Sequence, residues 1–179
     1  MRIVAITGNP ASGKDTIADY LVEKGFTKIV GGDIIRKVMV SQGIPVDRQH
    51  IHDFFLQERR QTGNSYPMDV VIDLIKGDSV ICGIRNLSQL NKLREKFGDN
   101  LKLISVDAPI EIRYKRALER KTARDTISFE DFKKQEDQER DDHLGSFEVD
   151  LVMEKADFKI INDSDMISLY KKIDEILLK

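Results

Sequence analysis

The chain has 179 residues, a length that suits one compact domain and can bury a core without disulfide or metal staples. Hydrophobic residues make up 40% and charged residues 34%, with a net charge of -2, which argues against long disorder and against a global basic field for nucleic acid. The one cysteine, Cys82, excludes an internal disulfide framework, and no apolar run approaches the ~20 residues that span a bilayer, so the expectation is a cytoplasmic protein with no nucleic-acid or membrane partner.

Short apolar runs alternate with longer helical patterns. Residues 2–6 read as a buried strand and 14–24 as a helix, with Ile17, Ala18, Leu21 and Val22 on one face and Gly25 as C-cap. Residues 27–30 form a second strand, and 33–41 a helix with Asp33 as a possible N-cap. Residues 47–76 read as two helices broken near 63–67. A third strand at 80–82 precedes a helix at 88–97 that Ser88 is placed to cap. A fourth strand at 101–106 leads to a helix at 110–120, and 121–127 is polar and loop-like. Ser128, with Asp131 three residues on, opens a charged helix in the manner of a capping box. Residues 158–161 form the last strand and 166–178 the last helix. Strands separated by helices in this way predict an α/β fold of three layers, a five-stranded parallel sheet with helices on both faces.

The strongest motif is Gly8-Asn9-Pro10-Ala11-Ser12-Gly13-Lys14-Asp15-Thr16, placed after a strand and opening a helix. That is the setting of a phosphate-binding P-loop. Glycines let the backbone curl around phosphate oxygens, the helix N-terminus offers free N–H groups, and Lys14 adds a point charge for the β- and γ-phosphates. The common pattern places Ser or Thr directly after the lysine. Here Asp15 stands there and Thr16 follows. Asp15 is suited equally to hold a metal-bound water or to stabilise the helix N-terminus.

Further arginines invite a phosphate role. Arg36 lies in Gly32-Asp33-Ile34-Ile35-Arg36, and its guanidinium is suited to bidentate phosphate contact, although a solvated arginine on a capped helix fits the same run. Arg85 follows the third strand in Cys82-Gly83-Ile84-Arg85. Arg116 and Arg120 share a helix face, while Arg124 and Arg140 follow further on. A neutral Cys82 cannot supply the charge a hard cation prefers and reads as a small buried hydrophobe. Asp15, Asp33 and Asp107 remain as residues able to act on a metal through water, with none assigned as a direct ligand. Tyr66, Pro67 and Met68 fall where an acceptor's base could sit, or pack as core. His50, His52 and His143 show no ligand spacing with Cys82.

The P-loop resembles that of adenylate kinase and related nucleoside monophosphate kinases, which also lack a hydroxyl directly after the lysine. The P-loop, GDIIR, CGIRN, RYKRALER, QERDDH and ADFKIINDSD segments occur in the order found in a set of adenylate-kinase-related P-loop proteins best known from archaea. Dephospho-coenzyme A kinase is a more distant likeness. The resemblance implies one P-loop kinase domain over 1–179, with an acceptor-binding region near 33–76 and a short lid near 121–128. It implies ATP and Mg2+ as cofactors, with ATP bound by Gly8 to Thr16 together with Arg116 and Arg120. Thr16 would meet the α-phosphate. Lys14, Arg116, Arg120 and Arg140 would act on the transferring phosphoryl. Asp33, Arg36 and Arg85 would bind a nucleoside or deoxynucleoside monophosphate. A monomer or a homodimer suits such a reading. In the related family the third strand usually ends in Asp-Gly, so Cys82 is a departure. Two alternatives stay open: transfer to a sugar hydroxyl with Asp33 as base, and a nucleotide-dependent switch or slow NTPase without an acceptor.

Overall fold

The computed structural model describes residues 1–120, 128–140 and 148–178. Among them five strands form one parallel sheet: β1 (Ile3–Thr7), β2 (Thr27–Val30), β3 (Ser79–Cys82), β4 (Leu101–Asp107) and β5 (Phe158–Ile161). Their order is β2-β3-β1-β4-β5, with β1 paired on one side to β3 (Ile6 beside Cys82) and on the other to β4 (Thr7 beside Ser105). The helices are α1 (Lys14–Glu23), α2 (Gly31–Ser41), α3 (Arg48–Thr62), α4 (Met68–Leu74), α5 (Leu87–Phe97), α6 (Ile110–Arg120), α7 (Phe129–Arg140), α8 (Val149–Glu154) and α9 (Met166–Leu177).

The strands are apolar on both sides because helices cover both faces of a parallel sheet. Alternation along β1 divides the core. Ile3 and Ala5 pack with Ile81, Leu103 and the apolar sides of α4, α5 and α8. Val4 and Ile6 pack with Val80, Cys82, Ile104 and Val106 against α1 and α9. A smaller core of Ile35, Met39, Phe54, Phe55 and Tyr66 joins α2 to α3. It gives that region packing of its own beside the sheet. The chain leaves β1 toward β2 and leaves β4 toward β5, on opposite sides. The crevice between β1 and β4 is therefore the switch point at which such sheets bind ligands.

Several local expectations are corrected. Helix α2 begins at Gly31, with Val30 at the cap position. Asp33 sits inside the first turn because β2 runs into the helix without a loop. Helix α5 is capped by Asn86, whose side chain accepts from Gln89 N–H at 2.9 Å, not by Ser88. Lys24 is the C-cap of α1, and Gly25 lies one residue beyond it at φ +91°. There the N–H groups of Gly25 and Phe26 return to the carbonyls of Val22 and Leu21, the double closure that glycine permits. Helix α8 was not expected at all. Val149 and Val152 are its only buried anchors, too few to show a period in the sequence. Before α7, the Ser128 hydroxyl accepts from Asp131 N–H at 3.1 Å and donates to its carboxylate.

Candidate functional site: a phosphate-binding loop at the sheet switch point

The turn from β1 into α1 is built by backbone conformations that the sequence alone permits. Gly8 has φ +141°, and a Cβ there would lie 1.9 Å from the Val106 carbonyl oxygen of β4. Gly13 has φ +104°, and its Cβ would lie 2.3 Å from Asn162 Nδ2. Between them Ala11 takes φ +58°, a left-handed position that a small side chain tolerates at some cost. The loop then enters α1, which opens at Lys14 and carries Asp15 and Thr16 in its first turn. Lys14 Nζ donates to the carbonyls of Gly8 at 2.8 Å and Asn9 at 2.6 Å, so the ammonium is held over the loop. Helix N–H groups plus one lysine form a ready anion site.

The loop is also gripped from outside. Asn9, 2% exposed, donates through Nδ2 to Asp107 Oδ1 at 3.0 Å. Asn162, just after β5, donates to the Ser12 carbonyl at 2.8 Å and, through its own N–H, to the Asp107 carbonyl at 2.7 Å. Asp107, expected at the ligand edge of β4, thus serves as a structural acceptor. A cleft of about 460 Å3 opens beside these supports, with Pro109, Ile110 and Ile161 as apolar lining and Lys133 and Asp137 at its charged margin.

The three carboxylates read from the sequence as acting on a metal are all engaged. Asp107 accepts from Asn9 and from Ala108 N–H and lies 3.4 Å from Arg113 Nε. Asp33 pairs with Arg36. Asp15 faces Lys28, whose ammonium lies 3.6 Å from Asp15 and 2.8 Å from Asp19. Burial works against the charge of Lys28, yet its bond to Asp19 and the nearby Asp15 carry its pKa above the ordinary value. At the end of β3, Cys82 is buried, and loss of solvent pushes its thiol up to about 12, despite the opposing pull of Lys28. The thiol is neutral and offers a hard cation nothing. Among the described residues no three His, Cys, Asp or Glu side chains converge to hold a metal.

On the other side of β1 the expected acceptor residues are less enclosed. Arg36 and Asp33 share one face of α2 and pair with each other. Gly32 leaves room for the Arg36 guanidinium, whose Nη atoms lie 3.5 Å from where a Cβ would stand. Arg85 is exposed, but its backbone is fixed: its N–H donates to Gln89 Oε1 at 2.9 Å and its carbonyl accepts from Glu148 N–H at 2.7 Å. Gln89 in turn donates to the Tyr66 carbonyl at 2.9 Å. Tyr66 and Met68 are core residues, the former beside Phe55 and the latter under α5.

Of the lid arginines, Arg116 lies on α6 with Nη1 buried and no hydrogen-bond partner among the described residues. Arg120 is exposed at the end of the same helix. Arg140 ends α7, but its side chain, like Arg124 and all of the expected lid over 121–128 except Ser128, lies outside the described residues. The sequence places Arg113 in the arginine-rich helix but assigns it no role. It is buried and paired with Glu136, a partner 23 residues away that no local spacing could reveal.

Fold and loop together define a P-loop domain with a kinase-like fold. Residues 4–142 match the family described as AAA domain, and the chain belongs to it. The chain also belongs to the UPF0200 family. It is 30% identical to the UPF0200 protein of Sulfurisphaera tokodaii, over 99% of this chain and 96% of that protein. It is 31% identical to the UPF0200/UPF0201 protein of Archaeoglobus fulgidus, spanning all of this chain and 56% of the length of that relative. The fold is similar to shikimate kinase from Acinetobacter baumannii in complex with shikimate, at a TM-score of 0.64 and 16% identity, covering 99% of this chain and 93% of that one.

Proposed function

We propose that residues 1–179 act as one kinase domain that moves the γ-phosphoryl of ATP to a nucleoside or deoxynucleoside monophosphate. The observation that carries the reading is Lys14 held over a preformed loop, with Arg36 and Arg85 at the same edge of the sheet. In this reading the loop N–H groups and Lys14 bind the β- and γ-phosphates. Arg36 leaves Asp33 to take the acceptor phosphate together with Arg85. An oxygen of that phosphate attacks the γ-phosphorus in line as the bond to the β–γ bridging oxygen breaks. The acceptor is already an anion, so no general base is required. Arg116, whose Nη1 has no hydrogen-bond partner among the described residues, with Arg120 and Arg140, neutralises charge on the moving group as the lid closes over 121–128. Magnesium arrives as part of the nucleotide substrate. The protein works in the cytoplasm as a monomer or homodimer.

Asp33 supports a second reading. It shares a face with Arg36, as an acceptor carrying both a phosphate and a reacting hydroxyl would require, and dephospho-coenzyme A is such a molecule. A coupled assay of ATP and GTP against all ribo- and deoxynucleoside monophosphates and dephospho-coenzyme A separates the readings. Turnover with a monophosphate is expected. Nucleotide consumption that no acceptor accelerates would defeat both and leave a nucleotide-binding switch or slow NTPase.

A further inference from the structure

Arg113 is an arginine in an unusual place. It is 2% exposed, three residues before Arg116 on α6, and it is used on every side. Its Nε donates to the Ala108 carbonyl at 2.7 Å and lies 3.4 Å from Asp107 Oδ1. Its two terminal nitrogens meet both oxygens of Glu136 on α7, with Nη2 to Oε1 at 2.9 Å. Nη1 also points to the Pro10 carbonyl of the phosphate loop at 3.5 Å. Glu136 is as buried as Arg113. Through Asp107 the pair reaches Asn9, and through the Asp107 carbonyl it reaches Asn162 and Ser12.

Stability alone is a poor reason for this arrangement. Two charges lose their water, and replacing such a pair by apolar side chains of similar size is often neutral or stabilising. What the planar fork of arginine supplies is direction, since it fixes Ala108, Asp107, Glu136 and Pro10 in one geometry. An anion site needs that. Loop N–H groups bind phosphate only if they converge before the ligand arrives.

We propose that Arg113 and Glu136 form a positioning pair for nucleotide binding, holding the phosphate loop in its converged shape and seating α7 against it. Occupancy of the loop and seating of α7 are thereby linked. The inference rests on the nucleotide-binding half of the reading above and is independent of the acceptor.

The test uses the full chain with ATP as the probe, and reads ATP affinity by calorimetry, thermal midpoint without nucleotide, and hydrogen exchange over 129–140. In the native protein ATP is expected to slow exchange across α7. R113M/E136L is expected to keep its midpoint within a few degrees, to bind ATP at least about tenfold more weakly, and to lose the α7 response. R113K keeps the charge but not the fork and is not expected to restore affinity. If R113M/E136L fails to fold, E136Q serves, with ATP binding about threefold to tenfold weaker and a diminished α7 response expected. A folded variant that binds ATP within about threefold of native, with α7 still responding, overturns the proposal. A native protein that does not bind ATP overturns the nucleotide reading itself and this inference with it. Native ATP binding with unchanged variants overturns this inference alone.

Discussion

The two sides of β1 (Ile3–Thr7) hold their candidate phosphate-binding groups by different means. Toward β4 and β5, the loop is made of backbone and fixed by buried side chains: Asn9, Arg113, Glu136 and Asn162 are each at most 6% exposed. Toward β2 and β3, Arg36 on α2 and Arg85 just after β3 stand nearer solvent, and Arg36 rests against Asp33. A buried polar network is rigid when every member is satisfied, and expensive when one is lost. An exposed ion pair contributes little and exchanges partners cheaply. On the proposed reading the nucleotide side is therefore preorganised, and the acceptor side is free to change partners when an anion arrives.

That contrast can be broken most strongly at Gly8. Gly8→Ala forces a Cβ into the Val106 carbonyl, 1.9 Å away, at φ +141°. Strain of about 1–3 kcal/mol from the backbone alone, with the clash added, is expected to lower unfolding free energy in urea and to weaken ATP binding by at least about tenfold. Undiminished ATP affinity would show that the loop is not built as described.

The acceptor side predicts a smaller and more selective loss. If the proposed acceptor role holds, Arg85→Ala and Arg36→Ala each remove a charge-assisted phosphate contact, about 1.5–3 kcal/mol, and are expected to raise the acceptor KM about tenfold to a hundredfold. ATP affinity and thermal midpoint should stay near native. Equal losses in ATP and acceptor would erase the distinction between the two sides.

The smallest effect is expected at Cys82, at the end of β3 beneath α1. Its thiol, near Lys28, Asp15, Lys14 and Asp19, is raised from 9.0 to about 12 in the folded chain. The folded state keeps a proton that the unfolded state releases. This contribution is full below pH 9 and is lost as pH rises from 9 toward about 12. Native stability should fall relative to Cys82→Ala by at most about 1.4 kcal/mol per pH unit in that window. Urea titrations of both proteins at pH 8, 9 and 10 measure it, and parallel curves would mean that Cys82 is not shielded from solvent.

Much of this arrangement was legible beforehand. The buried strands, the Gly8–Thr16 loop and the alternation of strand and helix follow from local pattern, because periodicity and glycine requirements are carried by neighbours in sequence. Cys82 as a neutral hydrophobe was readable for the same reason. What escaped was set by distant partners. Asn86 outbids Ser88 as a cap because it also donates to the Asn64 carbonyl at 3.2 Å. Tyr66 and Met68, equally fit for a base site or for packing, are settled as core by Phe55 and α5.

The sequence by itself determined that a glycine-rich turn between β1 and α1 would bring backbone N–H groups and Lys14 together at the first turn of α1, since glycine spacing, strand and helix leave that segment little choice. Only the tertiary structure decided that Asp107 supports the loop, that Asp15 and Asp33 are held by Lys28 and Arg36, and that Arg113 is buried against Glu136. Charged side chains on helices are compatible with many partners, and only the packing of α6, α7 and the strand ends selects among them.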